Sequence, residues 1–334
     1  MEQKQNRKKD YRRKKKQKRI LLFLTFFLLL AVGAFVGSRF YHEYVSQQNM
    51  AEGAVQTEGS QSMAGSAAQN GGGEKLAVHF IDVGQGDATL ITLGEHAMLI
   101  DAGNNDMGTT VQLYLKKVGV KKLDYVIGTH PDADHIGGLD VILTKFDCGR
   151  VIMPEIEREN TTYQEVTEAM EYRRYEKTLP VTGKTYPFGE AYFTVVSAEG
   201  DYGEEYNNYS VGIHLSYGDT SFLFVGDAEK EAEEVMLKTG LSLKSTVLKV
   251  GHHGSSDSTS EAFLLAVEPE MAVISCGMGN DYGHPHRRTL DKLREEKIEV
   301  YRTDEQGSIV AISDGKSIFF DTEPSVSWKS GWDE

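Results

Sequence analysis

Cysteine is scarce: Cys148 and Cys276 are the only two in 334 residues, and neither stands in a Cys-x-x-Cys pair. A disulfide framework is therefore not expected, and the two thiols read as small buried hydrophobes. No internal repeat at a solenoid-like period is present, which removes that class of architecture. Only one long uncharged apolar run occurs, so the chain cannot itself form a multi-span channel. Positive charge is also missing from the body of the chain. The formal net charge is −14; residues 1–19 hold a balance of +9, and the remainder carries −23. So acidic a body lacks the general electrostatic footprint of a polyanion binder.

What is present divides into five segments. Residues 1–19 form a basic tail, with eleven Lys and Arg against two acidic residues. Ile20 to Ser38 carry no charge and, as a helix, span roughly 28 Å, close to the thickness of a bilayer core. A cleaved export signal is the rival reading, but its apolar region normally runs about 7–15 residues, so length favours an uncleaved anchor. With the basic tail before it, the positive-inside rule places the N-terminus in the cytoplasm and everything after Arg39 outside. The expectation is a single-pass protein of a Gram-positive bacterial cell membrane. Residues 39–74 are rich in Gly, Ser, Ala, Gln and Asn and read as a flexible linker. A folded domain is expected over 75–322, followed by a short tail over 323–334.

Within the domain, strands are expected over 76–83, 88–93, 97–100, 123–128, 192–197, 210–217, 220–225, 245–250, 271–275, 300–302, 308–313 and 317–320. Helices are expected over 109–118, 137–145, 229–239, 260–267 and 287–296. Strands mixed with helices in two similar halves suggest an α/β domain of two packed sheets with helices outside.

Ligand-capable side chains gather after these strands. Asp101 follows one, and the run His130-Pro131-Asp132-Ala133-Asp134-His135 follows the next. Asp227 follows the strand ending at Val225, His252 and His253 follow the strand ending at Val250, and His284 and His286 come after Ser275. Six of the ten histidines fall in three of these loops. One such pair alone would be an ordinary loop; Asp101 alone would be a turn residue and Asp227 a helix cap. Three His/Asp loops together point to one polar site on a scaffold. Imidazole and carboxylate donors suit Zn, Mn or Fe, and bound metal would activate water and polarise a substrate oxygen.

These residues resemble the metallo-β-lactamase fold superfamily, whose signature is His-x-His-x-Asp-His at the end of a strand. The strings HFIDVGQGDATLI, IDAG, THPDADHIGG, FVGD, LKVGHHGS and YGHPH look closest to the hydrolase domain of ComEC-type competence proteins, over roughly 76–320. The resemblance implies an αββα sandwich holding one or two divalent ions. Carried over, His130 and Asp132 would ligate one metal, Asp134 and His135 the other, and Asp227 would bridge. His252 or His253 would be a further ligand or proton donor, giving Asp134, His252 and His253 as candidate catalytic residues. His284 matches the late histidine of the group, and Asp101 a supporting aspartate. Asp132 stands where the signature has histidine, which favours Mn or Fe over Zn and weighs against β-lactam hydrolysis. His214 reads as a sheet residue; Asn207, Asn208 and Ser210 could line the site.

The resemblance implies an extracellular phosphodiesterase or nuclease, with DNA the sharpest form of the substrate. Lys244, Lys249, Arg287, Arg288 and Arg302 could form a local groove, though solvated surface charge is their simpler reading. The alternatives are a phosphodiesterase acting on cell-wall polymer decorations, and a non-catalytic binding or sensor module that keeps the fold. The sequence sets no oligomeric state.

Overall fold

Period-two alternation builds the strands, and each strand sends its two faces into different cores. Leu90 and Ile91 show it: both are fully buried, yet Ile91 packs between two sheets and Leu90 packs beneath helices. The computed structural model describes residues 73–197 and 200–333. The expected basic tail and membrane anchor, and the linker up to residue 72, lie outside the described residues. Among the described residues, no helix is long and apolar enough to cross a membrane.

The strands are β1 (Leu76–Phe80), β2 (Thr89–Leu93), β3 (His96–Ile100), β4 (Lys122–Ile127), β5 (Asp147–Ile152), β6 (Lys177–Thr178), β7 (Thr185–Phe188) and β8 (Ala191–Val195). They continue as β9 (Ile213–Tyr217), β10 (Thr220–Phe224), β11 (Val247–Lys249), β12 (Met271–Ile274), β13 (Glu299–Arg302), β14 (Ile309–Ser313) and β15 (Ile318–Phe320). One sheet runs β15-β14-β1-β2-β3-β4-β5-β6 and the other β13-β12-β11-β10-β9-β8-β7. Phe80, Ile91 and Met98 of the first meet Phe193, Ile213 and Phe222 of the second in a dry interlayer.

Helices cover both outer faces. On the first sheet, α1 (Gly108–Val118), α3 (Leu139–Lys145) and α4 (Thr161–Arg173) bury Val111, Leu115, Ile142 and Val166. A single turn, α2 (Ala133–Ile136), lies just before α3. On the second sheet, α5 (Lys230–Lys238), α6 (Glu261–Val267) and α7 (Arg287–Glu295) bury Met236, Phe263 and Leu293. The αββα sandwich expected from the resemblance is therefore the fold of this chain. Residues 323–333 lie against it: Ser325 N–H donates to Val300 O at 2.7 Å, and Arg302 Nη1 donates to Lys329 O at 2.6 Å. Cys148 and Cys276 are buried and free.

Direction matters more than layering for the site. Strands β3, β4 and β5 are parallel neighbours, and so are β10, β11 and β12. The carboxyl ends of each set therefore open on one edge of their sheet, where loops of this kind make ligand sites.

Candidate metal centre

Four loops supply the centre. Asp87 ends the glycine turn after β1, and the run His130–His135 follows β4 and enters α2. Asp227 follows β10, and His252 and His253 follow β11. Two glycines make the approach possible. A Cβ on Gly86 would sit 2.4 Å from Asp134 O, and one on Gly226 would sit 2.8 Å from Ser210 Oγ. Three non-glycine residues of the site, Asp101, His252 and His253, hold φ of 58°, 48° and 52°. Such left-handed backbone persists only where the surroundings over-determine it.

Asp87, His135, Asp227 and His253 are all buried and each offers a ligand atom within 4.8 Å of the others. His135 Nε2 lies 3.2 Å from His253 Nε2 and 3.2 Å from Asp227 Oδ1. His253 Nε2 is 3.3 Å from both Asp134 Oδ2 and Asp227 Oδ2. The far ring nitrogens are fixed by acceptors: His135 Nδ1 donates to Asp101 Oδ2 at 2.8 Å, and His253 Nδ1 to Ser275 O at 3.0 Å. Asp101 is itself held by Thr129, whose N–H and hydroxyl reach its two oxygens at 2.8 Å and 2.7 Å. Each neutral imidazole thus carries its proton at Nδ1 and turns its Nε2 lone pair toward the common centre.

That arrangement fits a divalent cation. Two lone pairs facing each other at 3.2 Å repel unless something positive lies with them. His130 Nε2, Asp227 Oδ1 and Asp87 Oδ1 are buried with no hydrogen-bond partner, which costs free energy unless a cation takes them up. Two imidazoles and two carboxylates suit Zn, Mn or Fe. Without a cation, protons answer the same field. Burial opposes charge on His135 and His253, but Asp227, with Asp101 for one and Asp87 for the other, holds both well above the usual imidazole range. Burial likewise opposes charge on Asp134, yet its bond with His253 brings it down to about 2.

The structure sorts the candidates from the sequence. His135 and Asp227 belong to the central four. His130 is fully buried with its ring centroid 4.1 Å from that of His135, and its Nδ1 lies 3.3 Å from Ser210 Oγ. Asp134 touches His253. Asp132, assigned above to a metal, is ion-paired with Arg158 and is not among the four. His252 stands at the mouth, a fifth exposed, with Nε2 3.7 Å from Asp227 Oδ2 and Nδ1 3.4 Å from Glu229 Oε1. His284 backs it at 5.4 Å between rings; burial and the nearby His253 and His252 bring its pKa down to about 3. His286 has partners at both ring nitrogens, Ser256 N–H and Tyr282 O, and stays outside.

His214 lies in β9 and donates to Lys244 O at 2.9 Å, as a sheet residue would. Ser210 Oγ accepts the Asp227 N–H at 3.0 Å, and Asn208 Oδ1 accepts that of Glu229 at 3.0 Å. Of the five basic residues that could form a local groove, four are held in ion pairs. Lys249 and Arg302 are buried in ion pairs with Asp87 and Asp304, and Lys244 and Arg287 are exposed in pairs with Glu268 and Asp333. Asp87 was missed: it sits in a glycine turn without a histidine, and only its position after a buried strand could have signalled it.

A family model for the Metallo-beta-lactamase superfamily matches residues 81–277. Among curated relatives, ComE operon protein 3 of Bacillus subtilis is 32% identical over 250 residues, 70% of this chain and 32% of that protein. Recombination protein 2 of Haemophilus influenzae is 31% identical over 237 residues, 70% of this chain and 28% of that protein. The chain thus spans about a third of the length of the curated relatives it matches. Among solved structures, the metallo-beta-lactamase fold protein YhfI of Bacillus subtilis superposes with a TM-score of 0.47 at 13% identity, covering 72% of this chain and all of that one. The family match takes in more than half of the chain and every loop of the centre, from Asp87 to His253, and on it the chain belongs to the metallo-beta-lactamase superfamily.

Proposed function

We propose that this chain is a metal-dependent phosphodiesterase, held at the outer face of the cell membrane by Ile20–Ser38, with a DNA strand as its first substrate to test. The observation that carries the reading is the buried cluster of Asp87, His135, Asp227 and His253, in which the two imidazoles bring Nε2 within 3.2 Å of each other beside Asp227. When bound there, a divalent cation would lower the pKa of water and polarise a phosphoryl oxygen. The rest is done by side chains. Asp101 and the Ser275 carbonyl fix the tautomers of the two imidazoles. Asp134, ionised throughout the neutral range, accepts a proton or hydrogen bond rather than giving one. His252 is the candidate general acid: partial burial opposes its charge, but Asp227 and Glu229 raise its pKa, which favours the protonated form that a leaving oxygen needs. The relative named Recombination protein 2 supports a nucleic-acid substrate.

The test uses the full-length chain in detergent, loaded with Mn or Zn, on bis-p-nitrophenyl phosphate and labelled DNA. Chelation and Asp227→Asn are each expected to lower turnover about a hundredfold or more. Turnover that survives both, or a chain that takes up no metal, contradicts the proposal.

A further inference from the structure

The loop from Met153 to Asn160 leaves β5 on the edge where β4 delivers His130, because the two strands are parallel neighbours. Out of this loop comes Arg158. Its Nη1 donates to Asp132 Oδ1, and its guanidinium carbon lies 4.7 Å from the ring centroid of Tyr206. Asp132 is two residues from Asp134, and its charge acts on His130. A guanidinium is therefore held one carboxylate away from the metal centre. The ion pair and the aromatic face come from two separate segments and together fix its plane.

The fork is not used up. A guanidinium has five N–H donors. Among the described residues only Nη1 has a protein acceptor, while Nε and Nη2 have none, and the side chain is 36% exposed. Lys249, the lysine that reaches the central four, does not offer this, because it is buried against Asp87. The need for a cation is plain from the site's own charge. Asp87, Asp132, Asp134, Asp227 and Glu229 crowd it with carboxylates that repel an anionic substrate.

We propose that Arg158 determines specificity as the clamp for the two non-bridging oxygens of the substrate phosphodiester, with Asp132 as the residue that positions it. The proposal rests on the phosphodiesterase reading. Its chemistry is the match of a planar fork to two phosphate oxygens, which a lysine point charge does not reproduce.

The experiment compares the metal-loaded full-length chain with Arg158→Ala and Arg158→Lys. For bis-p-nitrophenyl phosphate, KM is expected to rise about tenfold to hundredfold in Arg158→Ala, with kcat within about threefold and metal content unchanged. Arg158→Lys recovers part of the loss. A merely structural role would instead lower kcat and metal content together, and that result overturns the clamp. A second arm titrates dithymidine phosphorothioate by calorimetry, where binding is expected to weaken by a similar factor in Arg158→Ala. If the unaltered chain hydrolyses no phosphodiester, the functional reading fails, and the binding arm still decides the clamp. Equal affinities for the unaltered chain and Arg158→Ala overturn it.

Discussion

His135 and His253 each use one ring nitrogen to fix their tautomer and leave the other facing a shared point among carboxylates. Both pKa values are raised by the carboxylates around them, which favours protons there in the metal-free chain. The sign follows. Stability from these protonated groups is complete below the usual imidazole value of 6.5 and is lost as pH rises through the raised folded values. A divalent cation must displace the same protons. Metal added to the chelator-stripped chain at pH 7 is expected to release protons, and apparent affinity should increase as pH rises. Calorimetry in two buffers of different ionisation enthalpy checks this; identical heats would contradict it. At this scale the sequence was informative wherever imidazoles clustered, because six histidines in three loops are hard to gather by chance. Asp87 escaped because aspartate beside glycine also makes an ordinary turn, and nothing local separates the two uses. Asp132 was legible as a departure from the family signature, but its partner Arg158 comes from the neighbouring loop after β5, a stretch that drew no assignment.

Among elements, the loop that carries the two late histidines is tied down by helices on either side. Glu233 of α5 is fully buried and its carboxylate accepts the backbone N–H groups of Thr259 and Ser260. From α7, Lys292 donates to the carbonyls of Ser258 and Thr259. Ser256 N–H, nearer the histidines, is held by His286 Nδ1 at 2.9 Å. The α5 helix is thus a brace for the His252–His253 loop as well as a cover for the second sheet. Glu233→Ala leaves the Thr259 and Ser260 N–H groups without their acceptor and removes the negative charge that faces Lys292, and is expected to cost about 2–4 kcal/mol. Equilibrium urea unfolding measures it; a change below about 0.5 kcal/mol would show that the brace carries no weight. Most elements were readable because their period was clear: the expected 109–118 helix is Gly108–Val118, and the expected 308–313 strand is Ile309–Ser313. The stretch from β5 to β7 drew no assignment. Its helix α4 buries only Thr162, Val166, Ala169 and Met170, too thin an apolar stripe to stand out, although Asn160 caps it by accepting the Tyr163 N–H at 2.8 Å.

For the whole domain, the decisive fact is that the centre draws on both sheets. Asp87 and His135 follow strands of the first sheet, and Asp227 and His253 follow strands of the second. The sequence told that two similar halves exist and that the loops of His135, Asp227 and His253 share a site, but not that the Asp87 turn joins them. That depends on pairings such as Phe80 with Ile309, which close the first sheet across most of the domain's length. A cation bound at the convergence ties together two layers otherwise joined by apolar packing, so it stabilises the fold as well as serving the chemistry. Ligand binding to the folded state alone adds about 4 kcal/mol when free metal is a thousand times Kd. For a domain of this size each kcal/mol moves Tm by about 2–4 °C, so chelation is expected to lower Tm by roughly 8–16 °C. Arg158→Ala, which leaves all four central donors in place, is expected to keep that metal-dependent shift. Scanning calorimetry of both chains with metal and with chelator decides it. A Tm that ignores metal, in a chain shown to bind it, would mean that the unfolded chain holds the ion as tightly as the folded centre does.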